Sequence, residues 1–113
     1  MWPRKKNKYG AVKVKEDGYT FDSKAEHRRY CELKLLQRAG DISDLAVHPR
    51  YPLEVNGERI AIYEADFSYT ARTAPRGAVV VEDVKGFATA DYRLKAKLFR
   101  ALYPTVDYRV QAA

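Results

Sequence analysis

A single cysteine, Cys31, in 113 residues leaves no partner for an intrachain disulfide and excludes a tetrahedral thiolate zinc site. That scarcity fits a reducing, cytoplasmic setting. No apolar run approaches the roughly 18 residues of a membrane-spanning helix, and no signal-type apolar stretch follows the basic N-terminus. A soluble, unexported protein is the expectation. Nothing resembles a glycine loop that cradles phosphate, or the nucleophile motif of a serine hydrolase. The two histidines, His27 and His48, stand too far apart and too isolated in sequence to suggest a metal pair or a nucleophile's base. No internal repeat or interdomain linker is apparent.

What is present is a basic chain with enough apolar material for one core. Hydrophobic residues make up 46% of it, the proportion of one ordinary domain. Lys and Arg number 21 against 15 Asp and Glu, a formal charge of +6 that makes a polyanionic partner plausible. Within residues 1–10, Arg4, Lys5, Lys6 and Lys8 have almost nothing apolar around them after Trp2, which predicts a flexible basic arm. Residues 11–113 then form the single folded domain.

The pattern beyond the arm opens with a hairpin. Val12 and Val14 alternate with lysines, Asp17-Gly18 is a favoured tight-turn pair, and Tyr19 and Phe21 resume the alternation. From Ser23 to Arg38 the apolar residues Tyr30, Leu33 and Leu36 recur at helical spacing, with Leu35 beside them, and Gly40 stands where a left-handed cap belongs. Tyr51, Leu53 and Val55 alternate up to Asn56-Gly57, and alternation restarts through Ile60, Ile62, Tyr63 and Phe67 as a second antiparallel strand. A loop from Thr70 to Gly77 leads into Val79-Val80-Val81, apolar on both faces as a central strand should be. Thr89 caps a second helix to about Tyr103, with Leu94, Leu98, Phe99 and Leu102 on one side, stopped by Pro104. Val106, Tyr108 and Val110 close the chain as a strand that can run parallel to the central one through the intervening helix. The expected order after the hairpin is helix, three strands, helix, strand.

Chemistry gathers where acids interrupt apolar patterns. Side chains alternate along a strand, so Asp83 and Lys85 share a face and Glu82 points the other way. Buried charges beside three valines are costly unless they pair or hold an ion. Asp66, in Glu64-Ala65-Asp66-Phe67, is expected to share a face with Ile60 and Ile62 on the neighbouring strand. Glu26 fits a capping box with Ser23, yet it also extends the inward stripe of Tyr30 and Leu33, so either role is open. Carboxylates of this kind can hold Mg²⁺ for phosphodiester cleavage, and a lysine beside them can orient or deprotonate water.

Glu26 on a first helix, Asp66 on a following strand and Asp83-Val84-Lys85 on the next together resemble the PD-(D/E)XK nuclease superfamily. The run Phe21 to Glu26, the stretch Tyr63 to Tyr69, and Val81 to Gly86 followed by Tyr92-Arg93-Leu94-Lys95 resemble small phage-encoded nucleases of that kind. The likeness implies a restriction-endonuclease-like α/β (α+β) core with a mixed central sheet. It also implies Asp66 and Asp83 as principal metal ligands, Glu26 as an additional or water-mediated ligand, and Lys85 as the water-orienting residue. Ala65 stands where the superfamily has proline, Asp83 replaces the commoner glutamate, and Glu82 is its rival if the strand register slips by one. Mg²⁺ is the implied cofactor, with Mn²⁺ as substitute. In size and charge the chain is similar to archaeal-type Holliday junction resolvases, which implies a homodimer acting on four-way DNA in the cytoplasm of a host cell. Nicked, flapped or duplex DNA is an alternative substrate, and a non-catalytic DNA-binding module retaining the fold is another reading. Arg4, Lys5, Lys6 and Lys8 in the arm and Arg93, Lys95, Lys97 and Arg100 on the second helix are the candidate phosphate contacts.

Overall fold

The computed structural model describes residues 12–74 and 77–113. Asp17 and Gly18 both have positive φ, 54° and 82°, and so supply the type I′ turn that joins strands β1 (Val14–Glu16) and β2 (Tyr19–Phe21). Helix α1 (Lys24–Arg38) begins where the Ser23 hydroxyl accepts the Glu26 N–H at 3.1 Å. It ends where Gly40, at φ 85°, lets the Gly40 and Asp41 amides turn back onto the Gln37 and Leu36 carbonyls. Five strands follow: β3 (Ile42–Val47), β4 (Arg50–Val55), β5 (Glu58–Glu64), β6 (Phe67–Ala71) and β7 (Val80–Lys85). Helix α2 (Ala90–Leu102), capped by Thr89, carries the chain over to β8 (Asp107–Ala112).

A mixed four-stranded sheet in the order β3-β6-β7-β8 forms the centre. Its first two pairings are antiparallel, and β7 with β8 is parallel, as the intervening helix requires. Strands β4 and β5 form a separate hairpin around Asn56-Gly57. The two faces of the central sheet carry two apolar clusters. On one, Tyr30 and Leu33 of α1 pack with Phe21, Ile42, Phe67, Tyr69 and Val80. On the other, Ala96 and Phe99 of α2 pack with Tyr63, Ala65, Leu53 and Val81. The protein is therefore a mixed α+β fold in which neighbouring residues of β7 belong to opposite cores.

Several expectations need correction. Strand β3 was absent from the expected order, because a bulge between Ser43 and Ala46, with Asp44 at φ 57°, breaks its alternation. The expected strand from Ile60 to Phe67 is two strands in two different sheets, interrupted at Ala65 and Asp66. Its inward row is Ala61, Tyr63 and Ala65, whereas Ile60 is 57% exposed, so Asp66 does not continue an Ile60–Ile62 face. The loop begins after Ala71, not at Thr70. On α2 the buried stripe is Tyr92, Ala96, Phe99 and Tyr103, and Leu94 lies 68% exposed. The basic arm, with Arg4, Lys5, Lys6 and Lys8, lies outside the described residues. Among the described residues no helix is long and apolar enough to cross a membrane.

Candidate active site

The break between β5 and β6 frees the Asp66 backbone from any ladder and gives it three specific partners. Its carbonyl accepts the His48 N–H at 2.9 Å, its own N–H donates to Asp83 Oδ1 at 3.1 Å, and its Oδ2 accepts the Val84 N–H at 2.7 Å. The last bond has a simple origin: pairing of β6 with β7 stops at Phe67 opposite Glu82, so the next outward-facing amide of β7 needs an acceptor. Asp66 is thus fixed from both ends.

Glu26 reaches the same place from α1, and the N–H it accepts at the helix start is that of Asp22, one residue before the cap Ser23, so the expected capping box is not closed. One carboxylate oxygen accepts the Asp22 N–H at 3.2 Å and fastens the helix start, while the other meets His48 Nε2 at 2.7 Å. Its side chain is buried. His48 comes from the link between β3 and β4, at φ 54°, a backbone state that aims its ring inward across Glu26. One ligand atom from each of Glu26, His48 and Asp66 lies within 4.8 Å of the others. The histidine that seemed isolated in sequence therefore joins two of the expected acids, because the fold brings together residues 22 positions apart.

Asp83 stands just behind this group. Tyr63, Tyr92 and Tyr108 direct their hydroxyls at Oδ2, leaving Oδ1 for the Asp66 amide. The phenols come from β5, α2 and β8, so three elements lock this one carboxylate. Burial and the adjoining Asp83 hold the Tyr63 hydroxyl firmly protonated, a donor to the acid and not a rival anion. Lys85, half-buried on the same face, lays its Nζ over the Tyr92 ring at 4.6 Å from the centroid and lowers the cost of ionising Asp66.

Glu82 is removed from this constellation. It faces α1, fully buried, where Arg29 Nη2 donates at 3.0 Å and the Tyr69 hydroxyl also donates. The register therefore gives Asp83, and not Glu82, to the Asp66 side.

Electrostatics give the group its character. Burial is the largest influence on Asp66 and the Glu26 charge the next, and together they push its carboxyl up to about 7. Burial likewise raises Glu26 against the opposing pull of His48. Two carboxylates and an imidazole converging at this spacing suit a divalent cation, which would supply the positive charge that this acid pair lacks. Imidazole in the donor set favours Mn²⁺ over Mg²⁺ relative to an all-oxygen site.

On α2, Arg93, Lys97 and Arg100 lie exposed along one flank, with Arg100 against the Tyr108 ring. Lys95 is on the opposite flank, half-buried and 3.7 Å from Asp91, so it does not join them. Comparison with known proteins gives no match among curated proteins and none among solved structures. A family model, by contrast, matches residues 6–112, nearly the whole chain including every residue of the acidic group, and the protein belongs to that family, DUF1064, a family of unknown function.

Proposed function

We propose that the protein is a metal-dependent DNA endonuclease with a restriction-endonuclease-like core. The observation that carries this reading is the convergence of Glu26, His48 and Asp66 within 4.8 Å, with Asp83 and Lys85 adjoining. Glu26, Asp66 and His48 would hold the cation, and Asp83, expected from sequence as a principal ligand, would instead hold Asp66 in place through its backbone amide. A divalent cation bound there polarises a phosphoryl oxygen and acidifies water at neutral pH. Lys85 orients the attacking water and offsets charge on the phosphate. The exposed flank of Arg93, Lys97 and Arg100 grips the backbone, together with Arg4, Lys5, Lys6 and Lys8, without reading sequence. A homodimer would present two such sites to the two strands of a four-way junction, the substrate to test first.

The experiment incubates the full chain with labelled four-way junction, flap and duplex DNA in Mg²⁺, Mn²⁺ or EDTA. Cleavage is expected with either cation, faster in Mn²⁺ and absent in EDTA. Asp66→Asn and Asp83→Asn should abolish cutting while DNA binding survives, and Lys85→Ala should slow it by about 100-fold or more. Full activity in both aspartate variants overturns the assignment, and equal cutting of all three substrates removes the preference for junctions.

A further inference from the structure

A second cluster, separate from the acidic group, joins the β1–β2 hairpin to the outer face of α1. His27 and Cys31 are four residues apart and project side by side from one face of the helix. Glu16, the last residue of β1, reaches over to both. His27 Nε2 lies 3.2 Å from Glu16 Oε1, Cys31 Sγ lies 3.9 Å from Glu16 Oε2, and Sγ is 3.7 Å from the imidazole nitrogen. We propose that Glu16, His27 and Cys31 form a binding site for Zn²⁺ or a kindred borderline-soft divalent cation, which staples the hairpin to the helix.

The geometry supports this directly. Ordinary zinc bond lengths at a tetrahedral angle place a nitrogen and an oxygen ligand about 3.4 Å apart, and a sulfur about 3.6 Å from either. The sulfur–nitrogen edge, 3.7 Å, already matches that figure, and with one oxygen of Glu16 the three ligand atoms lie within 4.8 Å of one another, so a turn of the Glu16 carboxylate, which now offers a different oxygen to each partner, closes the triangle. Three protein ligands leave the fourth position to water. The charge balance also closes: a thiolate and a carboxylate neutralise a divalent ion. Lys34, which pairs with Glu16 at 3.0 Å, keeps its second partner Asp17 at 2.8 Å when Glu16 turns to the metal. A lone cysteine rules out centres built mainly of thiolates, but not a mixed set of sulfur, nitrogen and oxygen. Such a set selects against Mg²⁺, which takes hard oxygen ligands, and so the two clusters divide cations by chemistry. All three ligands are half-buried, near enough to solvent for an ion to enter and shielded enough to hold it.

The test uses the full chain, stripped of metal and titrated with Zn²⁺ and Co²⁺, alongside a Glu26→Gln/Asp66→Asn double variant in which the acidic group is disabled. One equivalent of Zn²⁺ is expected to bind the double variant, and Co²⁺ should give the intense near-ultraviolet band of a thiolate ligand. Zn²⁺ should raise the melting temperature, and excess Mg²⁺ should compete at neither ion. Cys31→Ser should lose the cobalt band and weaken zinc binding by at least about tenfold, since loss of even an outer-sphere partner costs that much. His27→Gln should weaken binding similarly while its circular dichroism stays native. Absence of a thiolate band, or undiminished zinc affinity in Cys31→Ser, overturns the proposal whatever the outcome of the cleavage assays.

Discussion

Replacing Asp66 with asparagine in the metal-free protein should make it more stable, and by an amount that grows with pH. The Asp66 carboxyl is pushed up to about 7 from an ordinary 3.8, so the folded chain holds a proton that the unfolded chain releases. When the native state binds the extra proton, stability falls as pH rises, here from about 4 through about 7, after which the penalty is complete. The interval is about three pH units, and at about 1.4 kcal/mol per unit it bounds the effect near 4 kcal/mol. Relaxation of the neighbouring Glu26 reduces it, and a gain of about 2 kcal/mol or more at pH 8 is expected. Asparagine keeps an oxygen for the Val84 amide and carries no charge. Urea unfolding in EDTA at pH 5 and pH 8 measures both proteins. The variant's advantage at pH 5 should be less than half of that at pH 8, and saturating Mn²⁺ should reverse the order by stabilising only the wild type. A difference that does not change with pH, or a variant that is less stable at pH 8, would refute the reasoning.

Arg29→Met leaves the fully buried Glu82 with the Tyr69 hydroxyl as its remaining side-chain donor among the described residues and should cost about 3–5 kcal/mol in urea unfolding. The double variant Arg29→Met/Glu82→Leu should recover most of that loss, which a simple packing defect would not permit. Gly40→Ala meets no atom within 4 Å but must adopt φ 85°, so it should cost about 1–2 kcal/mol by thermal melting, and Gly40→Asn less.

Much of the architecture could be read from the residues because local signals and burial agree there. Both tight turns carry the Asp-Gly or Asn-Gly pairs their positive φ values demand, and Ser23 and Gly40 bound α1 where its pattern begins and ends. Alternation also separated Glu82 from Asp83 correctly, since their partners lie on opposite faces of β7. Where the reading failed, a different force had won. In β3 the left-handed Asp44 shifts the register, so period-two counting finds no strand. In β5 the larger aliphatics Ile60 and Ile62 face outward, while the fold buries Tyr63, whose hydroxyl is needed against Asp83. Leu94 misled for a similar reason: the inner stripe of α2 is Tyr92, Ala96, Phe99 and Tyr103, whose two tyrosines donate inward to Asp83 and to the Pro52 carbonyl. His48 offered no signal at all, because its importance comes from a link between two strands, one of which had gone unseen.

The tyrosine clamp on Asp83 has a kinetic corollary. One of its three phenols, Tyr108, belongs to β8, which pairs with β7 only after α2 has crossed over between them. Parallel pairing across such a long excursion is a non-local contact, expected to form after the local hairpins and helices. Until β8 docks, the Asp83 carboxylate lacks Tyr108, and the Asp66 amide that leans on it is held less firmly. An engineered break between α2 and β8 would therefore leave a chain with most of its apolar contacts made and its acidic pocket still unset, so competence for chemistry should trail collapse in a refolding time course.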